Sequence, residues 1–420
     1  MGNSGSTVFL IILSLVCLIL SWYAFQALRT LLIQWDSPMG RTAVSLIYWL
    51  LSGIYILNTV LSFRTIFKFG EISGSAQMGL NIFLTITVTQ VTIILFLLGE
   101  DLIRGVQGVA NYLSGNQSPE QSYIPQRRKF ISQLALVVAS IPFAGFVYGV
   151  LKGKYNFKVF RETIYFEDLP EAFDGFTITQ LSDIHAGSFK DSGAVQKGID
   201  LAKAQKSDLF VFTGDLINVA AEEVSPFIQR FKEIKASYGQ YSILGNHDYG
   251  DYTQWPTPQD KVNNFSALKA SHAEMGFRLM LDEHVTIQKD GASIQLLGVE
   301  NWGLGFKSKG DLEKALNGVK EGDFKILLSH DPSHWEAMVK THPSKIHLTL
   351  SGHTHGMQMG IETPIGSWSP AKYRYPNWAG LAEEAGRYLY VNRGFGFHAF
   401  AGRVGIWPEI TVITLKKKLA

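Results

Sequence analysis

Hydrophobic positions follow two different patterns along this chain. As far as residue 151 they form long unbroken blocks, and beyond about Tyr155 they form short runs separated by polar and glycine-bearing turns. Residues 8–28, 43–63, 78–99 and 131–151 each contain no Asp, Glu, Lys or Arg. A bilayer core of about 30 Å takes about 20 apolar residues of helix, because hydrocarbon leaves backbone groups no water to bond. The four blocks therefore predict four membrane-spanning helices. Pro142 predicts a kink in the fourth without forbidding it, since neighbouring helices can satisfy the freed carbonyl. With no charge inside any block, the default role of the helices is to anchor the chain in the membrane.

The later runs read as β-strands, and between them lie helical stretches such as residues 195–206. That alternation predicts an α/β or α+β layered domain. The chain thus divides into a membrane region, 1–154, and a second domain, 155–420.

Charge sharpens this division. Of the 74 Asp, Glu, Lys and Arg residues, 13 fall in positions 1–150 and 61 in the rest. The formal net charge of +2 offers no bulk attraction for nucleic acid, and none is expected as a partner. The only cysteine, Cys17, lies inside the first block, so no intramolecular disulfide can form and a lipid-facing or helix-packing role is expected. Four spans put the second domain on the same side as the N-terminus. Arg29, Arg41, Arg104, Arg127, Arg128 and Lys129 flank the opposite side, against Arg64, Lys68, Lys152 and Lys154, so the 100–129 segment is expected in the cytoplasm and the second domain outside it. The string Gln126-Arg127-Arg128-Lys129-Phe130-Ile131 resembles an internal twin-arginine export signal and points the same way; an ordinary basic flank is the alternative. Residues 119–125 read as a polar linker, Met1-Gly2 with Ser6 matches a myristoylation pattern by chance, and Lys416–Lys418 read as a solvated tail.

Chemistry gathers where the β-like runs end. FTITQLSDIH ends on Asp183 and His185, LFVFTGD on Asp215, YSILGNHD on Asn246, His247 and Asp248, FKILLSH on His330, and IHLTLSGHTH on His353 and His355. In an open α/β sheet such residues converge beyond the C-terminal ends of the strands, where loops are free to turn. Gly214, Gly245 and Gly352 precede ligand candidates and permit sharp turns there. Carboxylate, imidazole and amide donors without thiolate suit Mn, Fe or Zn. Their number exceeds what one tetrahedral site uses, so two divalent ions sharing an aspartate are expected.

The ordered set D-x-H, GD, GNHD, H and GHTH resembles the calcineurin-like metallophosphoesterase family from about Tyr155 to Ala420, with the likeness greatest to its membrane-anchored branch. The resemblance implies a four-layer αββα sandwich. It implies a first metal held by Asp183, His185, Asp215 and His355, and a second held by Asp215, Asn246, His330 and His353. It also implies a catalytic, non-ligating His247 with Asp248 orienting its imidazole. The activity implied is hydrolysis of phosphate mono- or diesters or pyrophosphates, by a water deprotonated between the ions. A bilayer-held cleft makes lipid-linked substrates conceivable beside small phosphorylated molecules. The alternative from another class is a non-catalytic membrane receptor or transporter subunit that binds metal or a phosphorylated ligand.

The remaining histidines carry no motif. His272, His284, His342 and His347 are expected in the core or on the surface, while His334 and His398 are candidates to line the cleft. Residues 251–264 and 363–380 are loops that follow motifs, and Lys372 and Arg374 in the second are candidate phosphate contacts.

Overall fold

The computed structural model describes residues 3–69, 72, 74–114, 125–306 and 308–418. Met1-Gly2 and, except for Pro125, the linker 119–125 lie outside them. The chain forms two compact units, Met1–Val150 and Leu151–Ala420.

The first unit is helical: α1 (Asn3–Leu32), α2 (Pro38–Phe69), α3 (Gly74–Leu113) and α4 (Pro125–Leu151). Each contains one of the four apolar blocks and is long and apolar enough to cross a membrane. The 40 residues of α3 extend about 60 Å, well past Gly99 into residues expected to be loop. Hydropathy marks where the hydrocarbon ends, whereas helical hydrogen bonding continues as long as the backbone closes it. The extension carries an ionic knot: Arg128 Nη1 donates to Glu100 Oε2 at 2.6 Å and Asp101 Oδ1 at 2.8 Å, and Tyr23 donates its hydroxyl to Asp101. One of the paired arginines therefore ties α4 to α3. Ala24, Ala27, Ala135 and Ala139 pack with Ile93 and Leu97, small residues that let backbones approach closely. Cys17 is buried and accepts from the Tyr55 hydroxyl at 3.3 Å, so it packs between helices and does not face lipid.

In the second unit, β1 (Lys158–Phe166), β2 (Thr177–Leu181), β3 (Leu209–Phe212), β4 (Gln240–Ser242), β5 (Arg278–Leu279) and β14 (Glu409–Lys417) form one sheet, ordered β1-β14-β2-β3-β4-β5. A second sheet, ordered β12-β13-β9-β8-β7-β6, uses β6 (Glu283–Lys289), β7 (Ala292–Gly298), β8 (Lys325–Leu328), β9 (Leu348–Ser351), β12 (Gly380–Glu384) and β13 (Arg387–Val391). A short hairpin, β10 (Ile361–Thr363) and β11 (Gly366–Trp368), stands apart from both.

The sheets pack face to face through Ile178, Leu209, Val211 and Ile413 of the first against Leu296, Ile326, Leu328 and Leu348 of the second. Over the outer face of the first sheet lie α5 (Ser192–Lys203), α6 (Ile228–Phe231) and α7 (Pro258–Glu274), burying Val195, Ile199, Phe231 and Leu268 on Phe210 and Phe212. The outer face of the second is covered by α8 (Leu312–Leu316) and α9 (Ser333–Ala337), with Trp335 and Leu312 on Leu297 and Leu327. This is the αββα sandwich. The central strands β3, β8 and β9 are buried on both faces, which is why their text reads as continuous apolar runs.

The C-terminal lysines depart from expectation. Lys416 and Lys417 continue β14, in register with Tyr165 and Phe166, and Lys417 Nζ donates to Leu169 O at 2.8 Å. A parallel partner strand outweighs the solvation that three consecutive charges would favour.

Candidate metal centre

Asp183 and His185 follow β2, Asp215 follows β3, Asn246–Asp248 follow β4, His330 follows β8, and His353 and His355 follow β9. Both sheets thus deliver side chains at strand C-terminal ends. Five of these residues take positive φ: Asp183 at 51°, His185 at 48°, Asp215 at 59°, His353 at 72° and His355 at 50°. Non-glycine residues rarely adopt this region, and such conformations persist only where surrounding structure overrides their cost. Gly214, at φ 94°, makes the approach possible: a Cβ there would meet Gly245 N at 2.6 Å.

Three groups of potential ligand atoms result among the described residues, Asp183, His185 and His355 in one, Asp215, His330 and His353 in another, and His185, His247 and His398 in a third that holds no carboxylate, each within 4.8 Å. His355 Nε2 lies 3.2 Å from Asp183 Oδ1, and His330 Nε2 lies 3.2 Å from Asp215 Oδ2 and 3.3 Å from His353 Nδ1. His185 Nε2, 3.6 Å from Asp215 Oδ2, brings the groups together. Burial works against charge on Asp183 and Asp215, yet the imidazoles of His355 and His330 hold both carboxyls below the usual range. Burial pushes His185, His353 and His355 down, keeping them in the neutral form that ligates. Burial also opposes charge on His330, but the adjoining Asp215 carboxylate outweighs it and raises it to about 10. Buried carboxylates among mostly neutral imidazoles form a cage that calls for cations. Asn246 Oδ1 fits the same demand, being buried with no hydrogen-bond partner among the described residues.

His247 stands beside the cage with its ring 4.9 Å from that of His185. Its Nδ1 donates to Asn218 O at 2.9 Å. Asp248 does not orient it. The Asp248 carboxylate accepts from the backbone N–H groups of Asp215, Leu216, Ile217 and Gly245, clamping the loops after β3 and β4 together. The spacing in GNHD brings Asp248 next to His247 in sequence, but the turn aims the two side chains apart.

Several participants carried no motif. Asn218 Oδ1 lies 3.0 Å from His185 Nδ1 and 3.1 Å from His398 Nδ1. His398 stacks on His185 and sits 4.5 Å from the His247 ring, so this cleft candidate reaches the site. His334 does not: it is buried, bonded to Ser329 Oγ and stacked on Trp302. Tyr375 OH meets His353 Nε2 at 2.7 Å, whereas its exposed neighbour Arg374 donates to Leu304 O. Lys372 is exposed on the same turn. Arg403, fully buried, donates to His355 Nδ1 at 3.1 Å. Tyr252 accepts from Asn246 Nδ2 and lies against His247, and with Asn246, Tyr249, Asp251, Asn301 and Phe306 it lines a cavity of about 330 Å³ beside the cage. Asn218 follows Asp215 by three residues in the same loop, Tyr252 and Tyr375 lie in the loops after GNHD and GHTH, and Arg403 offered no sequence clue. Of the other histidines, His272 and His347 are buried, while His284 and His342 bond Ala315 O and Glu313 at the domain's edge.

Residues 176–357 match a family model described as calcineurin-like phosphoesterase, and residues 6–154 match one described as probable calcineurin-like phosphoesterase, transmembrane domain. The uncharacterized metallophosphoesterase YkuE of Bacillus subtilis is 30% identical over 298 residues, which cover 69% of this chain and 97% of that protein. A transmembrane protein with metallophosphoesterase domain from Danio rerio is 28% identical over 288 residues, covering 68% of this chain and 62% of the relative. The Bos taurus protein of the same name is 30% identical over 260 residues, covering 59% and 54%. With its carboxylate and histidine groups gathered at the strand ends and four apolar helices ahead of them, this chain belongs to the calcineurin-like metallophosphoesterases, in their transmembrane form.

Proposed function

We propose that this chain is a membrane-anchored hydrolase of phosphate esters or pyrophosphates, lipid-linked ones included, that works with two divalent ions. The observation that carries the reading is the pair of carboxylate-bearing ligand groups that meet where His185 approaches Asp215, with Asn246 Oδ1 buried and without a partner among the described residues. Asp183, His185, Asp215 and His355 would hold one ion, and Asp215, Asn246, His330 and His353 the other; Mn, Fe and Zn suit these donors. Bound there, such ions supply an activated water and offset the charge of the phosphoryl oxygens.

The chain's own residues do the rest. His247, its Nδ1–H committed to Asn218 O, turns Nε2 to the cleft and is placed to hand a proton to the leaving oxygen as the ester P–O bond breaks. Thr213 O receives His330 Nδ1 at 2.7 Å and so fixes that ring. Asp248 sets the distance between the two loops that deliver Asp215 and Asn246. The helices act as the anchor, and the basic residues around them favour an extracytoplasmic cleft.

The test is purified full-length protein in detergent with Mn²⁺ and bis-p-nitrophenyl phosphate, with Asp215→Asn as the control. Hydrolysis lost in the variant is expected; full metal occupancy without hydrolysis would favour a binding protein instead. Protease accessibility of the second unit in preparations with an intact inner membrane tests its side.

A further inference from the structure

Between His355 and Tyr375 the chain leaves the metal centre and comes back to it. Ser369 Oγ closes the excursion on Gly356 O, and Tyr375 returns to His353. The excursion carries the β10–β11 hairpin, which joins no other strand among the described residues. Ile361 and Trp368 face each other directly across it and are 62% and 42% exposed. At its tip, Ile365 is 98% exposed. A two-residue hairpin turn in water ordinarily takes Asn-Gly, Asp-Gly or similar residues, which satisfy backbone groups and hydrate well. Here the turn is Pro364-Ile365. Tyr373, 80% exposed, and the exposed Lys372 and Arg374 follow the hairpin. An apolar tip with an aromatic and cationic flank is the composition of elements that settle at a membrane–water interface.

The hairpin is tied to the domain by Glu362, which pairs with Arg393 at 2.7 Å, and a groove of about 690 Å³ lined by Phe160, Arg393 and residues 362–367 runs beside it. Phe160 belongs to β1 and comes nine residues after Leu151, the last residue of α4. β1, the edge strand of its sheet, follows α4 in the chain after a short connection.

We propose that the β10–β11 hairpin dips its tip, Pro364-Ile365 with Ile361 and Trp368, into the interface of the bilayer that the four helices cross. This places the loop between two metal-centre residues on the lipid surface, so that a phosphate borne by a lipid reaches the cleft without leaving the membrane plane. The insertion rests on the helices as spans; its consequence for substrate rests also on the hydrolase reading.

The experiment uses the full chain with Cys17→Ser, labelled with a nitroxide at Ile365→Cys, in nanodiscs of phosphatidylcholine and phosphatidylglycerol. A label at Gly322→Cys, an exposed turn, serves as the aqueous reference. Collision with oxygen is expected to exceed collision with a water-soluble nickel chelate several-fold at position 365, and the reverse at 322. Equal access of the chelate to both labels overturns the proposal. For the substrate, Ile365→Asp with Trp368→Ser is expected to keep hydrolysis of bis-p-nitrophenyl phosphate within about twofold and to lower that of vesicle-borne phosphatidic acid about tenfold. Equal loss on both, or on neither, overturns the substrate consequence. An unmodified chain that cleaves neither compound overturns the hydrolase reading and leaves the label result to decide insertion.

Discussion

One oxygen holds two histidines: Asn218 Oδ1 lies 3.0 Å from His185 Nδ1 and 3.1 Å from His398 Nδ1. An amide oxygen only accepts, so both Nδ1 atoms carry hydrogen and both neutral rings turn a bare Nε2 outward. Losing a partner of this kind costs about 10–100-fold in metal affinity or activity. Asn218→Ala is expected to weaken Mn²⁺ binding by that order in calorimetric titration. Unchanged affinity would remove Asn218 from the centre.

His247 belongs to neither carboxylate-bearing group, but a ring nitrogen of it comes within 4.8 Å of one each on His185 and His398. His247→Ala should retain both ions by elemental analysis while turnover falls about 10²–10⁴-fold, the usual contribution of a positioned acid. Metal lost together with activity would make His247 a ligand.

Asp248 is a scaffold carboxylate. Removing it strands four buried N–H groups, and each unsatisfied group costs about 1–3 kcal/mol, so Asp248→Ala should destabilise the second unit by at least about 3 kcal/mol. Asp248→Asn, which keeps one acceptor, should be milder. Hydrogen exchange at the Leu216 amide reads the effect locally; protection equal to that of the unaltered protein in Asp248→Ala would contradict it.

Acid should weaken the second unit through its buried histidines. Burial lowers His272 from 6.5 to about 3, so the folded form stays neutral while the unfolded chain takes up a proton. The stability this histidine contributes is full above pH 6.5 and falls as pH drops from there towards 3. At pH 5 the loss is about 2 kcal/mol. His334, lowered by burial to about 4, adds in the same direction. His272→Gln, which does not titrate and can still bond Ser242 Oγ, should shrink the fall in melting temperature between pH 7.5 and 5. Parallel falls in variant and parent would count against this assignment.

The two halves of the chain were legible in the sequence for different reasons. A bilayer imposes a length and a polarity on every residue of a span, so four uncharged blocks announced four helices with no tertiary information. The candidate metal centre was legible because strands end abruptly and the residues after them are short motifs, so Asp183, His185, Asp215, Asn246, His330, His353 and His355 could be named as candidate ligands from local text. What sequence position could not convey was the direction of a side chain after a tight turn. Asp248 follows His247 yet points to four backbone amides, and His398, 180 residues from Asn218, shares its oxygen. Hydrogen-bond partners of that kind come from distant loops brought together only when two sheets pack, which local patterns do not encode. The same holds for Lys416 and Lys417, whose place was decided by a neighbouring strand, and for the hairpin, whose exposed isoleucines become informative only once the fold leaves them uncovered.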